Sequence, residues 1–146
     1  MIPAFLSTGL LPKGIHWASS TEVQARFGTN PHRIRLLGGL FRACSALAVA
    51  GCNAIYLDGS FATERAAPAD YDACWDIASV DLAKLDGVFK DFSNLRAAQK
   101  AKYFGEFFPA QLLNRPTSLT FLQFFQIDKL TGDPKGIIGI YLRSQP

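Results

Sequence analysis

Two short motifs hold the residues whose types and spacing are best able to do chemistry: Gly59-Ser60, and Asp70-Tyr71-Asp72 after a loop. The first follows a short apolar run typical of a buried strand. Glycine lets the backbone approach a ligand closely, and Ser60 begins a turn whose amide groups point outward. Outward-pointing amides of this kind suit a phosphate group.

The second motif places two carboxylates at a spacing of two residues. On a strand, Asp70 and Asp72 direct their side chains to the same face. Two adjacent anions raise each other's pKa unless a divalent cation neutralises them. A phosphate-binding turn beside such a metal site is the minimum needed for phosphoryl or nucleotidyl transfer. The alternative is a glycine turn followed by the polar edge of a strand, since each motif is common alone.

The joint spacing resembles the signature of the DNA polymerase beta-type nucleotidyltransferase superfamily. That signature is an apolar residue and Gly-Ser, a spacer of roughly nine to thirteen residues, and Asp-apolar-Asp. Here Leu57-Asp58 precedes Gly59-Ser60, and the nine residues 61–69 lead to Asp70. The size of the chain is similar to that of minimal bacterial nucleotidyltransferases, some of which act as antitoxins. Segments 11–16, 124–128 and 135–136 look like an uncharacterised bacterial branch of the superfamily.

The resemblance implies a third carboxylate on a later strand, close to the first two. Asp76 lies about 13 Å along the strand from Asp72, too far for one metal cluster. By elimination we expect Asp128 to complete the catalytic and metal-binding set with Asp70 and Asp72. The alternative is that Asp128 is itself a solvated acid of the hairpin, because a turn follows it. Asp58 departs from the family pattern, in which many members have an apolar residue before the glycine.

The nucleotide-binding residues implied by the resemblance are Gly59 and Ser60, together with Lys135 beside the predicted turn near Asp128. A mobile ammonium such as that of Lys135 or Lys129 can reach a nucleotide phosphate. Solvated lysines in a hairpin are the alternative for both.

The expected activity is transfer of a nucleoside monophosphate from an NTP to a hydroxyl acceptor, with Mg²⁺ or Mn²⁺ as cofactor. The acceptor class is left open among a protein, a tRNA end and a small molecule. The resemblance also suggests a toxin–antitoxin or phage-defence setting. The alternative is a catalytically degenerate antitoxin or binding module that keeps the fold and acts on a protein partner by contact. Sequence-specific DNA binding is disfavoured, because no basic recognition helix is evident.

Local signals predict the elements that must position these residues. Asn30-Pro31 is typical of a helix start, and Gly51 of a helix end. Strands are predicted at 53–58 and 70–76. Two helical patterns follow, and a Phe-rich strand over 119–128 is expected to form a hairpin with 136–142. The order predicts one α+β domain over 1–146, with a small mixed sheet and helices packed on one face.

Composition agrees with one folded domain that contains a real core. The 146 residues are 49% apolar and 18% charged, with a formal net charge of +3. Cys44, Cys52 and Cys74 show no metal-binding spacing, so we expect buried thiols in a reducing cytoplasm. No apolar run is long enough for a membrane span, and the N-terminal stretch lacks the basic region of a signal peptide. The abundance of phenylalanine leaves a homo-oligomer open.

Overall fold

The computed structural model describes residues 1–58 and 60–142 and has α+β architecture. The strands are β1 Gly14–Ala18, β2 Ala54–Asp58, β3 Tyr71–Trp75, β4 Gly105–Pro109, β5 Leu113–Asn114, β6 Leu119–Thr120 and β7 Gly136–Tyr141. The helices are α1 Ser20–Phe27, α2 Pro31–Val49, α3 Ser93–Tyr103 and α4 Phe121–Phe124. Short 3-10 turns cover Ser60–Ala62 and Gly87–Lys90.

The main sheet is mixed and has the strand order β1-β7-β2-β3-β4. Strand β2 pairs antiparallel with both β7 and β3, whereas β1 with β7 and β3 with β4 are parallel pairs. The small mixed sheet predicted from the sequence is therefore confirmed. Strands β5 and β6 form a separate two-stranded ribbon.

Different hydrophobic clusters pack on the two faces of the main sheet. Ile55 and Leu57 of β2 lie in the main core with Leu40 of α2. Tyr56, between them, belongs to a second cluster centred on Phe125, just after α4. Strand alternation explains this division. The long helix α2 covers one face as predicted, but the short helix α4 and its phenylalanines pack on the other.

Local signals predicted helix α2 correctly. The Asn30 side chain caps α2 by accepting from the Arg33 amide, and Gly51 adopts a φ of +95° just past its end. Ser19 caps α1 in the same way, accepting from the Glu22 amide. The three cysteines are free thiols, and Cys52 is buried.

The predicted Phe-rich strand over 119–128 was wrong. Only Leu119–Thr120 is extended, and the chain then turns into α4. A capping box causes the turn: the Thr120 hydroxyl accepts from the Gln123 amide, and the Gln123 side chain accepts from the Thr120 amide. The predicted hairpin with 136–142 reduces to one bridge between Ile127 and Pro134. No strand was predicted at Gly14–Ala18, where β1 lies.

No helix in the described ranges is long and apolar enough to cross a membrane.

Helices α2 and α3 approach each other most closely at Gly39. A Cβ at this position would collide with the Tyr103 carbonyl and would lie 2.8 Å from the Phe104 ring. The neighbouring Gly38 faces open space, with the Arg42 guanidinium 4.0 Å away as its nearest contact. The same helix thus contains one glycine that packing requires and one that it does not.

We predict opposite effects for alanine at these two positions. Gly39→Ala should lower the free energy of unfolding by about 2 kcal/mol or more, because backbone cannot move aside cheaply. Gly38→Ala should raise it by about 0.5–1 kcal/mol through helix propensity alone. Urea unfolding followed by circular dichroism measures both, and equal effects would contradict the close approach.

Candidate acidic site

Three carboxylate residues lie side by side across β2, β3 and β4. Asp58 and Asp72 are directly opposed in the antiparallel β2–β3 pair. Asp72 in turn is the register partner of Glu106 in the parallel β3–β4 pair. Neighbouring strands are about 4.8 Å apart, so these side chains form a continuous row on one face. We call Asp58, Asp72 and Glu106 the acidic row.

The two outer members of the acidic row are paired with lysines. The Lys135 ammonium lies 3.0 Å from Asp58, and these side chains are only 13% and 6% exposed. Lys100 of α3 lies 2.8 Å from Glu106 in a more exposed pair. Each of these two lysines thus places a positive charge beside one end of the acidic row.

Asp72, in the middle of the row, has a perturbed titration. Burial and three neighbouring carboxylates, those of Glu106, Asp70 and Asp58, raise its pKa to about 7. The charge of Lys129 acts in the opposite direction. A carboxyl group whose pKa is raised by burial and by neighbouring carboxylates is a candidate for a functional site.

Asp70 lies just before β3 and extends the acidic surface. Burial, then the charge of Glu106, raises its pKa, and Lys100 opposes the shift. A cavity of about 290 Å³ opens beside Asp70, between α2 and α3. Arg35 and Lys100 contribute to its wall. The cavity is at the small end of ligand-binding size, and its two cations suit an anionic group.

Arg96 adds another positive charge near the acids. Its guanidinium lies 3.8 Å from the centre of the Phe108 ring, and the charges of Glu106 and Asp72 oppose the lowering of its pKa by burial. Residues Asn94, Leu95 and Arg96 have φ angles of 52°, 55° and 60°. Left-handed backbone costs non-glycine residues roughly 1–2 kcal/mol each. The start of α3 therefore holds Arg96 in a strained conformation at the edge of the site.

The first turn of α2 holds the loop between the two sequence motifs. The buried Arg33 guanidinium donates to the carbonyls of Phe61 at 2.8 Å and Thr63 at 2.9 Å. Its Nε donates to the Arg65 carbonyl at 3.0 Å. Asn30 reaches the carbonyl of Ala66 at 2.8 Å. These bonds fix the path of the chain from the end of β2 toward Asp70.

The residues predicted from the sequence fall in several places. Asp70 and Asp72 come together at the start of β3, as expected. Gly59 lies outside the described residues. Ser60 begins a 3-10 turn, and only its backbone is described. The predicted nucleotide-binding Lys135 instead contacts Asp58.

Asp128, the predicted third carboxylate, lies in a turn. Its Oδ2 accepts from the Thr131 hydroxyl at 2.8 Å, and this bond lowers its pKa. The register places Glu106, not Asp128, directly beside Asp72. The sequence contains a weak signal for Glu106, one acid in the apolar run Phe104-Gly105-Glu106-Phe107-Phe108, but only the β3–β4 register reveals its neighbour.

The carboxylates of the site are suitable ligands for Mg²⁺, but they do not form a complete metal-binding cage. Among the described residues, no group of three or more His, Cys, Asp or Glu side chains is arranged to hold a metal ion. The three-acid set Asp70, Asp72 and Asp128 is therefore not a preformed cage. Mg²⁺ usually binds one or two carboxylates together with water and substrate phosphates. The pair Asp70 and Asp72 fits that mode, with Glu106 next to Asp72.

The fold and site together define an α+β protein whose mixed sheet presents a row of acids to surrounding cations. The chain belongs to DUF6932, a family of unknown function, which matches residues 3–141. No curated protein and no solved structure matches the chain. The geometry of the acidic row is therefore the main clue to what this chain does.

We predict a pH-dependent gain of stability in Asp72→Asn. The folded-state pKa of about 7 lies above the ordinary 3.8, so the wild type loses stability as pH rises from about 4 to 7. The Asp72→Asn variant does not lose stability in this way, because asparagine does not ionise. At pH 8 its free energy of unfolding should exceed that of the wild type by about 1–2 kcal/mol, and the gap should close toward pH 4.

Urea unfolding at several pH values tests this expectation. Asp133→Asn, at an exposed turn position, is the matched control and should follow the wild type throughout. A gap for Asp72→Asn that does not change with pH would contradict the assigned titration.

We also predict that Arg33→Lys loosens the loop. Lysine keeps the charge, but its single nitrogen cannot span the carbonyls that Arg33 reaches with three separate nitrogens, so unfolding should become easier by about 2–4 kcal/mol. Trypsin should also cleave faster after Arg65, whose carbonyl Arg33 holds. Arg35→Lys, at an exposed position two residues along α2, should cost less than about 1 kcal/mol. Equal cleavage rates in the two variants would contradict the role of Arg33.

Proposed function

We propose that this chain is a metal-dependent nucleotidyltransferase that moves a nucleoside monophosphate from an NTP to a hydroxyl acceptor. The observation that supports this most is Glu106 beside Asp72, next to Asp70 at the start of β3. The expected chemistry needs a third carboxylate near the first two, and Glu106 takes the position that the sequence analysis gave to Asp128. The proposed activity is the one expected from the sequence, but its third carboxylate is Glu106 and not Asp128.

In this proposal Asp70 and Asp72 hold Mg²⁺ or Mn²⁺, and Glu106 completes the site. The metal, when bound, neutralises these carboxylates and polarises the phosphate under attack. Glu106, which pairs with Lys100, accepts the proton of the acceptor hydroxyl as the hydroxyl oxygen bonds to the α-phosphorus and pyrophosphate leaves. The cations beside the cavity at Asp70, Arg35 and Lys100, orient the triphosphate.

Loop positioning is the second contribution of the chain. Arg33 fixes residues 61–65 by bonds to their carbonyls. In this proposal the loop that contains these residues binds the phosphates, the role that the resemblance to nucleotidyltransferases implies for it. A rigid loop lowers the ordering cost of binding a flexible triphosphate.

A second candidate function is a binding module, such as an antitoxin, that keeps the fold without the chemistry. Two observations favour it: both outer acids are engaged by lysines, and the described residues contain no three-ligand metal group. In an inactive protein these ion pairs would be permanent. In an enzyme, Lys100 would exchange its partner when a triphosphate enters.

Transfer of label from α-³²P NTPs in Mg²⁺ or Mn²⁺ tests the proposal, with the chain itself, bulk tRNA and extract protein as acceptors. We expect Asp72→Asn and Glu106→Gln to lower the rate about 100-fold or more. Asp128→Asn is the matched control and should stay within about threefold of the wild type, because Asp128 is occupied by its own turn.

Two outcomes would overturn parts of the proposal. Loss of activity in Asp128→Asn with full activity in Glu106→Gln would return the third carboxylate to Asp128. Absence of labelling in every acceptor, together with no rise in Tm on adding Mg²⁺ and NTP, would favour the binding module. A rise in Tm that Asp72→Asn abolishes would support nucleotide binding at the acidic row.

A further inference from the structure

Two cations of α3, Arg96 and Lys100, lie on opposite sides of the carboxylates of the site. Lys100 contributes to the wall of the cavity at Asp70, just before β3. Arg96 lies over the ring of Phe108, two residues beyond Glu106 on β4. Residues two apart on a strand project from the same face, about 6.6 Å from each other. The order along this face is therefore the cavity, the carboxylates and then Arg96.

The Arg96 guanidinium is held in place by its surroundings. Its Nε donates to the Phe107 carbonyl at 3.4 Å. Its central carbon lies 3.8 Å from the centre of the Phe108 ring and 4.8 Å from that of Phe92. Among the described residues, its two terminal nitrogens have no hydrogen-bond or ion-pair partner, and neither is shielded from solvent. An external acceptor can therefore reach both nitrogens.

The chemistry around Arg96 matches two parts of a nucleotide. The two terminal nitrogens of a guanidinium form a bidentate pair with two oxygens of a phosphate. Bases of single-stranded nucleic acids stack on exposed aromatic rings and on guanidinium planes. Phe92, which flanks the guanidinium, is 44% exposed. A phosphate with a base next to it is therefore the ligand that this group of side chains recognises best.

The position of Arg96 fits an acceptor better than a triphosphate. In such displacements the attacking and leaving oxygens lie roughly in line through the phosphorus. With the triphosphate in the cavity at Asp70, pyrophosphate leaves toward that cavity. The attacking hydroxyl then comes from the far side of the carboxylates, which is the side where Arg96 lies.

We propose that the acceptor is a nucleotide whose phosphate binds Arg96 and whose sugar hydroxyl attacks the α-phosphorus. This inference rests on the proposed function, because it names the acceptor of that reaction. As the new oxygen–phosphorus bond forms, the bond between the α-phosphorus and the bridging oxygen breaks. Pyrophosphate leaves with the electron pair, and Glu106 takes the hydroxyl proton. A free nucleotide and the 3′ end of a strand both present this phosphate and hydroxyl.

Transfer of label from α-³²P NTPs in Mg²⁺ to adenosine, AMP and hexa-adenylate tests the assignment. AMP and adenosine differ only by the phosphate, so the KM for AMP should be about tenfold lower. Arg96→Met should abolish this difference and leave the KM for the NTP within about twofold of the wild type. Arg96→Lys keeps the charge without the paired nitrogens, so it should raise the KM for AMP only about threefold.

Binding of 5′-fluorescein-labelled hexa-adenylate, followed by fluorescence anisotropy without NTP, gives a measurement that does not depend on activity. Arg96→Met should weaken this binding about fivefold to tenfold. Arg26→Met is the matched control, because Arg26 also lies over a phenylalanine ring, that of Phe5 at 4.4 Å, and donates to the Ile2 carbonyl at 3.4 Å. Arg26→Met should bind hexa-adenylate like the wild type. Circular dichroism checks the fold of each variant, and Arg96→Lys serves if Arg96→Met does not fold.

The outcomes separate this inference from the proposed function. Transfer that occurs in the wild type, with acceptor KM and anisotropy unchanged in the Arg96 variants, overturns the acceptor assignment and leaves the activity standing. A rise only in the KM for the NTP also overturns it, since Arg96 would then bind the triphosphate. Label confined to protein acceptors overturns it as well. Binding of hexa-adenylate that requires Arg96, without any transfer, would instead support the nucleotide site and contradict the proposed activity.

Discussion

The repulsion among neighbouring carboxylates is the constraint on which the architecture of this site depends. Antiparallel and parallel pairing with β3 brings Asp58 and Glu106 to either side of Asp72. Uncompensated, three anions at strand spacing would destabilise the sheet. The compensating cations come from elsewhere in the chain: Lys135 immediately precedes β7, and Lys100 lies on α3. The sheet order and the position of α3 are therefore tied to the charge of the row.

Helix α2 connects the site to the rest of the fold. Its first turn bonds the loop after β2 through Arg33, and its middle approaches α3 so closely at Gly39 that a side chain does not fit. Because α3 carries Lys100, the same helix constrains both the loop and the cation that faces Glu106. The apolar stripe that packs α2 on the sheet, including Leu40, makes this support rigid.

Local sequence signals predicted α2, β2 and β3, since a capping side chain, a glycine with positive φ and strict alternation act within a few residues. They also predicted that Asp70 and Asp72 lie together. They could not predict Glu106, because its proximity to Asp72 depends on register between strands separated by α3. The segment around Phe121 misled the prediction for a different reason: its phenylalanines favour a strand, but the Thr120–Gln123 capping box starts a helix. Asp128 therefore lies in a turn and not at the end of the predicted strand.

The charged groups at the site differ in how easily their ion pairs can be separated. Four acids, Asp58, Asp70, Asp72 and Glu106, face four cations, Lys135, Lys129, Lys100 and Arg96. Of these cations only Lys135 is almost fully buried with its partner, and a buried pair of this kind is hard to separate. The pair of Lys100 with Glu106 is more exposed, so exchanging its partner costs less. In the proposed enzyme, a triphosphate entering the cavity that Arg35 and Lys100 line would draw Lys100 away from Glu106. The ion pair of Asp58 with Lys135 thus stabilises the sheet with or without a bound ligand. The ion pair of Glu106 with Lys100 is the one that a ligand would separate more easily.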